Sequence, residues 1–293
     1  MKISHAPEIE LERAVSHRGG TLHSRLLMSG EEGTLGNFQL TQAENGGDFF
    51  SPRHRHNFEQ YRLQLRGVLD FGRDGKMTPG VIGYFPEGVY YGPQTQTADQ
   101  TPAPLTCVLQ FGGASGSGYI GRDEVAEGMH QLERMGEFKN GVFRRDPAFP
   151  GKKNMDAFQA IWEHLSEKPM IYPKPRYQKP ILMDPANYDW VPTGEAGVSE
   201  KLMGVFTERR NECGRVKIDK GASFTARGRG LYFVVAGEGA MASGKYGEFT
   251  TLYLDAGETA VVKATTTTEL VHFGLPNLSD LEKGREITAE AAE

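Results

Sequence analysis

The sequence predicts an all-β protein made of two barrels joined by a partly helical, proline-rich insert. A chain of 293 residues is too long for one small barrel. Its 37 glycines and 16 prolines are typical of many short strands and turns rather than long helices. Residues 202–264 also repeat weakly the order of strands and turns in residues 35–94. We therefore expect an arm and first barrel, a connector and a second barrel, over residues 1–116, 117–193 and 194–293.

The composition excludes several classes of protein. A net charge of −5 and a pI near 6.0 give no basic surface for nucleic acid or an anionic membrane. The sequence has no run of eighteen apolar residues, and its start lacks the apolar stretch of a signal peptide, so we expect a cytoplasmic protein. Cys107 and Cys213 lie in different predicted domains, which argues against a disulfide framework.

Alternating apolar and polar residues predict the strands of the first barrel. A turn at Asp74-Gly75 separates two of them. The predicted strands cover residues 21–28, 35–43, 49–56, 60–65, 68–71, 81–86, 89–91 and 103–113.

A short polar motif stands out in this half of the chain. His54 and His56 lie two residues apart, so on an extended strand both imidazoles point to the same side and can share a metal ion. Gln60 follows, and Gly67 stands where a tight turn is needed.

The spacing H-x-H-x3-[E/Q]-x6-G resembles the first motif of the cupin family. The second cupin motif, G-x5-P-x-G-x2-H, is matched by Gly80, Pro86 and Gly88, but Tyr91 replaces its histidine. The resemblance implies one divalent ion per chain held by His54, His56 and Gln60, with Fe(II) favoured and Mn, Ni or Zn also open. Gln60 is neutral where the family usually has a carboxylate. Glu59 would take its place if the strand register slipped by one residue.

The insert has a different pattern. Residues 123–137 and 154–168 place apolar residues at helical spacing, and Asn154 or Asp156 would cap the second helix. Its apolar stripe comprises Phe158, Ile161, Trp162 and Leu165. The proline-rich pieces around these helices predict a segment without strands, which serves either as a lid or as a brace.

The second half predicts a barrel without the site. Thr225, Ala226 and Arg227 stand where the first copy has its histidines, and no ligand-like glutamate follows. This half resembles a degenerate cupin repeat, and the whole chain a bicupin with one intact site.

Strand alternation predicts an unusually polar interior for the first barrel. With Gln60 facing inward, Arg62 and Gln64 face inward too. A buried guanidinium needs a partner, which is either an anionic substrate or a structural acid such as Glu59 or Glu87. The predicted substrate-binding residues are Arg62, Gln64, Tyr84, Tyr90 and Gln94. The predicted catalytic residues are Tyr91, Arg62 and Glu59.

Three functions follow from these features. The favoured one is a metal-dependent dioxygenase that cleaves a small enolisable or hydroxy-aromatic acid, as the resemblance to the cupins implies. The alternatives are a zinc-type isomerase, cyclase or lyase, and a barrel that only binds a small molecule. The cupin resemblance and the need to cover edge strands also imply a homodimer.

Overall fold

The protein is described here from a computed structural model that covers residues 1–95 and 100–281. The chain forms two compact units. Among the described residues, the N-terminal unit comprises 11–95, 100–182 and 280–281, and the C-terminal unit comprises 1–10 and 183–279. Two divisions differ from the predicted boundaries. The first ten residues belong to the C-terminal unit because strand β1 (Lys2–His5) pairs there, and most of the insert belongs with the first barrel.

A seven-stranded antiparallel sheet forms the main wall of the N-terminal unit. Its strand order is β13-β8-β5-β9-β4-β3-β2. The strands are β2 (Glu12–Arg13), β3 (Leu22–Ser29), β4 (Phe38–Asn45), β5 (Glu59–Arg66), β8 (Ile82–Phe85), β9 (Leu105–Phe111) and β13 (Ile181–Met183). The central strand β5 places Gln60 opposite Phe85 on one side and Gln110 on the other.

The remaining strands of this barrel are short. Strands β6 (Leu69–Asp70) and β7 (Lys76–Met77) form a hairpin. Isolated bridges join Ser51 to Gln94 and His54 to Tyr91. The predicted continuous strand over residues 49–56 is therefore wrong, because this segment pairs only at single residues.

The insert contains both α-helices of the described chain and a small sheet. The helices are α1 (Arg122–Leu132) and α2 (Ala157–Ser166), and the sheet contains β10 (Gly136–Lys139), β11 (Val142–Arg145) and β12 (Asn154–Asp156). The expectation of a strandless insert is thus wrong, since the segment between the helices pairs with itself. The predicted stripe on α2 is confirmed: Phe158 and Ile161 are buried, while Trp162 and Leu165 are partly buried.

The C-terminal unit repeats the architecture. Its main sheet has the order β1-β21-β18-β23-β16-β15-β14, and a second sheet has the order β17-β22-β19-β20. Its further strands are β14 (Val191–Pro192), β15 (Val198–Val205), β16 (Glu212–Ile218), β17 (Ser223–Arg227), β18 (Gly230–Ala236), β19 (Gly239–Met241), β20 (Gly244–Tyr246), β21 (Thr250–Leu254), β22 (Thr259–Ala264) and β23 (Thr268–Gly274).

The predicted all-β class is confirmed. Both cysteines are buried and free, as expected. In residues 1–95 and 100–281, no helix has the length and apolar character needed to cross a membrane.

Candidate functional site

A backbone bridge brings the two cupin-like motifs together. The His54 amide donates to the Tyr91 carbonyl at 3.1 Å, and the Tyr91 amide donates to the His54 carbonyl at 2.9 Å. The rings of His54 and Tyr91 lie 4.5 Å apart, and the rings of His54 and His56 lie 4.7 Å apart. The two histidines therefore converge, as predicted, although they do not lie on a regular strand.

Arg62 occupies the centre of this group. Its Nε and Nη2 donate to Gln60 Oε1 at 3.0 and 2.9 Å. Its Nη2 also donates to the Tyr91 hydroxyl at 3.1 Å, and its Nη1 donates to Gln94 Oε1 at 2.6 Å. The guanidinium carbon lies 4.7 Å from the centre of the Phe85 ring. Every hydrogen-bond acceptor of Arg62 among the described residues is therefore neutral.

This network fixes the proton positions on both imidazoles. Because Gln60 Oε1 accepts from Arg62, the Gln60 amide nitrogen faces His56 and donates to its Nδ1 at 2.9 Å. A neutral His56 then carries its proton on Nε2. His54 has the opposite tautomer, since its Nδ1 donates to the Pro52 carbonyl at 2.6 Å. Its Nε2 keeps a free lone pair, with no hydrogen-bond partner in the described chain.

Burial and neighbouring cations keep both imidazoles neutral. Desolvation, followed by the charge of Arg18, lowers the pKa of His54 and of His56 well below the ordinary histidine value. Desolvation also lowers the pKa of Arg62. The site thus combines neutral imidazoles with a desolvated guanidinium.

These residues line a cavity of about 320 Å³ inside the N-terminal unit. His54, His56, Arg62, Tyr91 and Gln94 all contribute to its wall. A cavity of this volume matches a small-molecule ligand.

Arg18, from the segment that precedes β3, adds a second guanidinium to the cavity wall. Its Nη1 donates to Asp156 at 2.8 Å. Its side chain is only 8% exposed, and its Nη2 is buried without a hydrogen-bond partner among the described residues. One amino group of Arg18 is therefore anchored, while the other is buried and makes no hydrogen bond to the described residues.

Helix α2 both holds Arg18 and closes the cavity. Asp156 caps this helix by accepting hydrogen bonds from the amides of Phe158 and Gln159 at 3.0 and 3.1 Å. The next residues place the Phe158 ring in a stacked arrangement on His56, with the ring centres 5.5 Å apart. One sequence feature, the N-terminus of α2, thus positions both an arginine and an aromatic wall.

Five predicted site residues are not part of the cavity wall, among them Gln60, whose Oε1 accepts from Arg62. Glu59 and Tyr84 lie on the other face of the sheet from Arg62, because neighbouring strand residues alternate between faces and Tyr84 pairs with Tyr61. Tyr90 is 48% exposed and packs against Arg55. Gln64 is buried, and it bonds to the Arg66 carbonyl and to Thr106 rather than lining the cavity.

Glu59 belongs instead to a buried pair of carboxyl groups with Glu87. The Glu87 carboxylate accepts from Arg176 at 2.7 Å and from the hydroxyl and amide of Ser115 at 2.7 and 2.9 Å. Burial, together with the nearby charge of Glu87, raises the pKa of Glu59 to about 8. This pair stands behind the cavity wall, and neither carboxylate bonds Arg62 as a structural counterion.

The donor set does not fit the divalent ion that the motif implies. The Gln60 oxygen is turned toward Arg62, and His56 presents a protonated nitrogen, so neither has a lone pair directed to a common ion with His54. The described residues contain no group of three or more histidine, cysteine or acidic side chains arranged to hold a metal. A guanidinium within hydrogen-bond distance of Gln60 and Tyr91 would also repel a second cation.

Arg18 and Phe158 line the cavity but are not among the site residues that the sequence predicts. Both lie far from the motif in the chain, and their segments were interpreted as an N-terminal arm and a packed helix. The apolar stripe of α2 did identify Phe158 as buried, but no local pattern links it to His56.

Comparison with known proteins relates the chain to others by structure. No protein-family model matches the sequence, and no curated protein matches it. A candidate dioxygenase from Nostoc punctiforme is similar with a TM-score of 0.62 and 9% identity, covering 94% of this chain and 82% of that one. Oxalate decarboxylase from Bacillus subtilis is similar with a TM-score of 0.54 and 10% identity, covering 94% and 76%.

A third structure, from Geobacillus kaustophilus, has a TM-score of 0.51 and 12% identity and covers 94% of this chain and 95% of that one. Identities this low concern the fold. The dioxygenase candidate and the decarboxylase are cupin proteins, and this chain therefore has the cupin fold, with one barrel in each unit.

Proposed function

We propose that the N-terminal barrel binds a small organic acid and transfers a proton on it. The observation that carries this proposal is the pair of buried guanidiniums at one cavity. Arg62 has only neutral acceptors among the described residues, and Arg18 has an unused Nη2. A carboxylate that fills the cavity would supply the negative charge that Arg62 lacks, while Arg18 is already paired with Asp156.

Electrostatics favours this ligand. A buried charge without a counterion destabilises a protein by several kcal/mol, so an arriving carboxylate recovers part of that free energy. Guanidinium groups bind carboxylates through paired, directional hydrogen bonds. The name of one structural neighbour, oxalate decarboxylase, refers to a small acid of the same class.

His54 is the residue that we assign to proton transfer. Its Nδ1 is held by the Pro52 carbonyl, so Nε2 remains as an acceptor on the cavity wall. An acid with a carbonyl group next to an acidic C–H could lose that proton to His54, while Arg62 stabilises the enolate oxygen. Isomerisation and lyase reactions of enolisable acids belong to this class.

Ligand binding can be tested by thermal unfolding with pyruvate, salicylate and oxalate as probes, each in the presence of EDTA. A probe at ten times its Kd should raise Tm by about 3 °C. Arg62→Met should abolish the shift, and Arg18→Met should weaken it. Arg66→Met is the matched control, because Arg66 lies on the same strand, is 40% exposed and pairs with Glu44. An equal shift in the wild type and Arg62→Met would reject the proposal.

Catalysis has a separate readout. Exchange of the pyruvate methyl protons with deuterated water, followed by NMR, should be faster with the wild type than with His54→Ala. Binding without exchange would reduce the proposal to a binding module. A metal-dependent dioxygenase, which the motif leads us to expect, would consume oxygen in the presence of its substrate. One structural neighbour is a candidate dioxygenase.

A further inference from the structure

The two positions where this chain departs from the cupin motifs are both bonded to one side chain. Gln60 stands at the usual carboxylate position, and Tyr91 stands at the usual histidine position. Arg62 donates twice to Gln60 Oε1 and once to the Tyr91 hydroxyl. The two departures therefore share one structural consequence, which is a pair of neutral oxygen acceptors for the guanidinium.

The Arg62 guanidinium also orients the side chains of Gln60 and His56. Its bonds to Gln60 Oε1 turn the Gln60 amide nitrogen toward His56, and this leaves the proton of His56 on Nε2. A metal at the motif would need the Gln60 oxygen and the His56 nitrogen, and Arg62 withdraws both. Arg62 thus removes ligands as well as adding a positive charge.

We propose that Arg62 is the permanent cation of the N-terminal barrel and stands in place of the divalent ion. An acid that enters the barrel then meets one fixed positive charge, which carries a planar set of N–H donors. It does not meet an exchangeable metal ion. Gln94 completes this arrangement, because its Oε1 accepts from Nη1 at 2.6 Å and holds the fourth bond of the guanidinium. The inference deepens the proposed function, since a fixed cation in the cavity is useful only toward an anion.

Metal content tests the inference directly. The purified full chain is incubated with excess Mn(II), Ni(II), Zn(II) or anaerobic Fe(II), desalted, and measured by elemental mass spectrometry. The wild type should retain far less than one ion per chain. A wild type that holds one ion per chain, and loses it in His54→Ala, would overturn the inference.

A variant that restores the usual ligands shows whether Arg62 is the cause. Gln60→Glu and Tyr91→His combined with Arg62→Leu should retain close to one ion per chain. The same two changes with Arg62 intact are the matched control and should retain clearly less. Equal retention in the two variants, or no retention in either, would mean that Arg62 does not take the place of the ion. The wild-type measurement stands alone if a variant fails to fold.

The outcomes separate this inference from the proposed function. If the wild type binds neither metal nor any carboxylate probe, the proposed function fails and the metal-free character of the barrel stands. If carboxylates bind only after a metal is added, the proposed function survives and the role of Arg62 as permanent cation is rejected.

Discussion

The two barrels share one strand order but have opposite interiors. In each, the central strand, β5 or β18, shows a break in register near its end. A glycine with positive φ follows, Gly67 at 70° and Gly237 at 90°. These shared features align the two central strands residue by residue.

Counting back from the two glycines matches Gln60, Arg62 and Gln64 with Gly230, Tyr232 and Val234. The polar series of the N-terminal barrel is thus replaced by residues that pack into an apolar core. Tyr232 and Val234 are buried in that core, and the Tyr232 hydroxyl bonds to the backbone of Arg227.

The bridge between the motifs shows the same contrast. His54 bridges Tyr91 in the N-terminal barrel, whereas Phe224, at the position of His54 by the same count, pairs with Val262 in the C-terminal barrel. The C-terminal barrel therefore forms this fold without any of the polar residues of the site. It follows that those residues serve the cavity of the N-terminal barrel rather than the stability of the fold.

The largest effect is expected when the arginine is moved to the other barrel. Tyr232→Arg would bury a guanidinium where its described neighbours are mostly aliphatic, so it should destabilise the C-terminal unit by more than about 4 kcal/mol. Urea denaturation measures this change. The control, Tyr232→Phe, removes only the bonds to Arg227 and should destabilise by about 1 kcal/mol.

The two tryptophans allow each unit to be followed separately. The sequence has two, Trp162 in the N-terminal unit and Trp190 in the C-terminal unit. In a Trp162→Phe background, the fluorescence of Trp190 reports the C-terminal unit, where the Tyr232→Arg effect should appear. If Tyr232→Arg unfolds at the same urea concentration as the wild type, the C-terminal barrel also tolerates a buried charge. The difference between the two interiors would then not be one of tolerance for charge.

The fold and the polar face of the site can be predicted from the sequence because they depend on fixed spacings between residues along the chain. Strand alternation places Gln60 and Arg62 on one face, and the motif spacing brings His54 next to Tyr91. The same alternation places Glu59 and Tyr84 on the opposite face, and their prediction as site residues rested on closeness in the chain.

The rest of the site depends on contacts between distant segments. Nothing near Arg18 in the sequence indicates that Asp156, more than a hundred residues later, will hold it at the cavity. The orientation of the Gln60 amide, which decides the metal question, is likewise set by the final position of Arg62. No pattern in the sequence states which way an amide points.

A smaller effect is expected at the two matched glycines. Alanine at either position adopts an unfavourable positive φ, which should destabilise the unit that contains it by about 1–2 kcal/mol. At Gly237 the added Cβ would also collide with the Thr267 carbonyl and the Thr268 backbone, so Gly237→Ala should cost about 3 kcal/mol in total. At Gly67 the added Cβ would lie 2.8 Å from Gln100 Oε1 and 2.9 Å from the Pro104 Cα, so its collision is milder than the closer approach to the Thr267 carbonyl at Gly237. Equal losses of unfolding free energy in urea would show that the collision at Gly237 adds nothing to the cost of the positive φ.

The last effect is a pH dependence confined to the N-terminal unit. Glu59 has a pKa of about 8 in the folded chain, against an ordinary value of 4.5, because burial and Glu87 disfavour its charge. Between these two pH values the folded unit keeps the proton that the unfolded chain releases, so Glu59 makes the unit less stable as pH rises. Glu59→Gln mimics the protonated acid without titrating. It should leave Tm nearly unchanged at pH 5 and raise it by about 10 °C at pH 8.

The Glu59→Gln measurement uses a Trp190→Phe background, in which Trp162 reports the N-terminal unit. The C-terminal unit is the internal control, since in the Trp162→Phe background the same variant should leave the transition of Trp190 unchanged at both pH values. A gain of the same size at pH 5 and pH 8 would mean that Glu59 is ionised throughout this range. The Glu59 and Glu87 pair would then hold two charges side by side in the folded unit, and the sheet behind the cavity would have to supply a second cation besides Arg176.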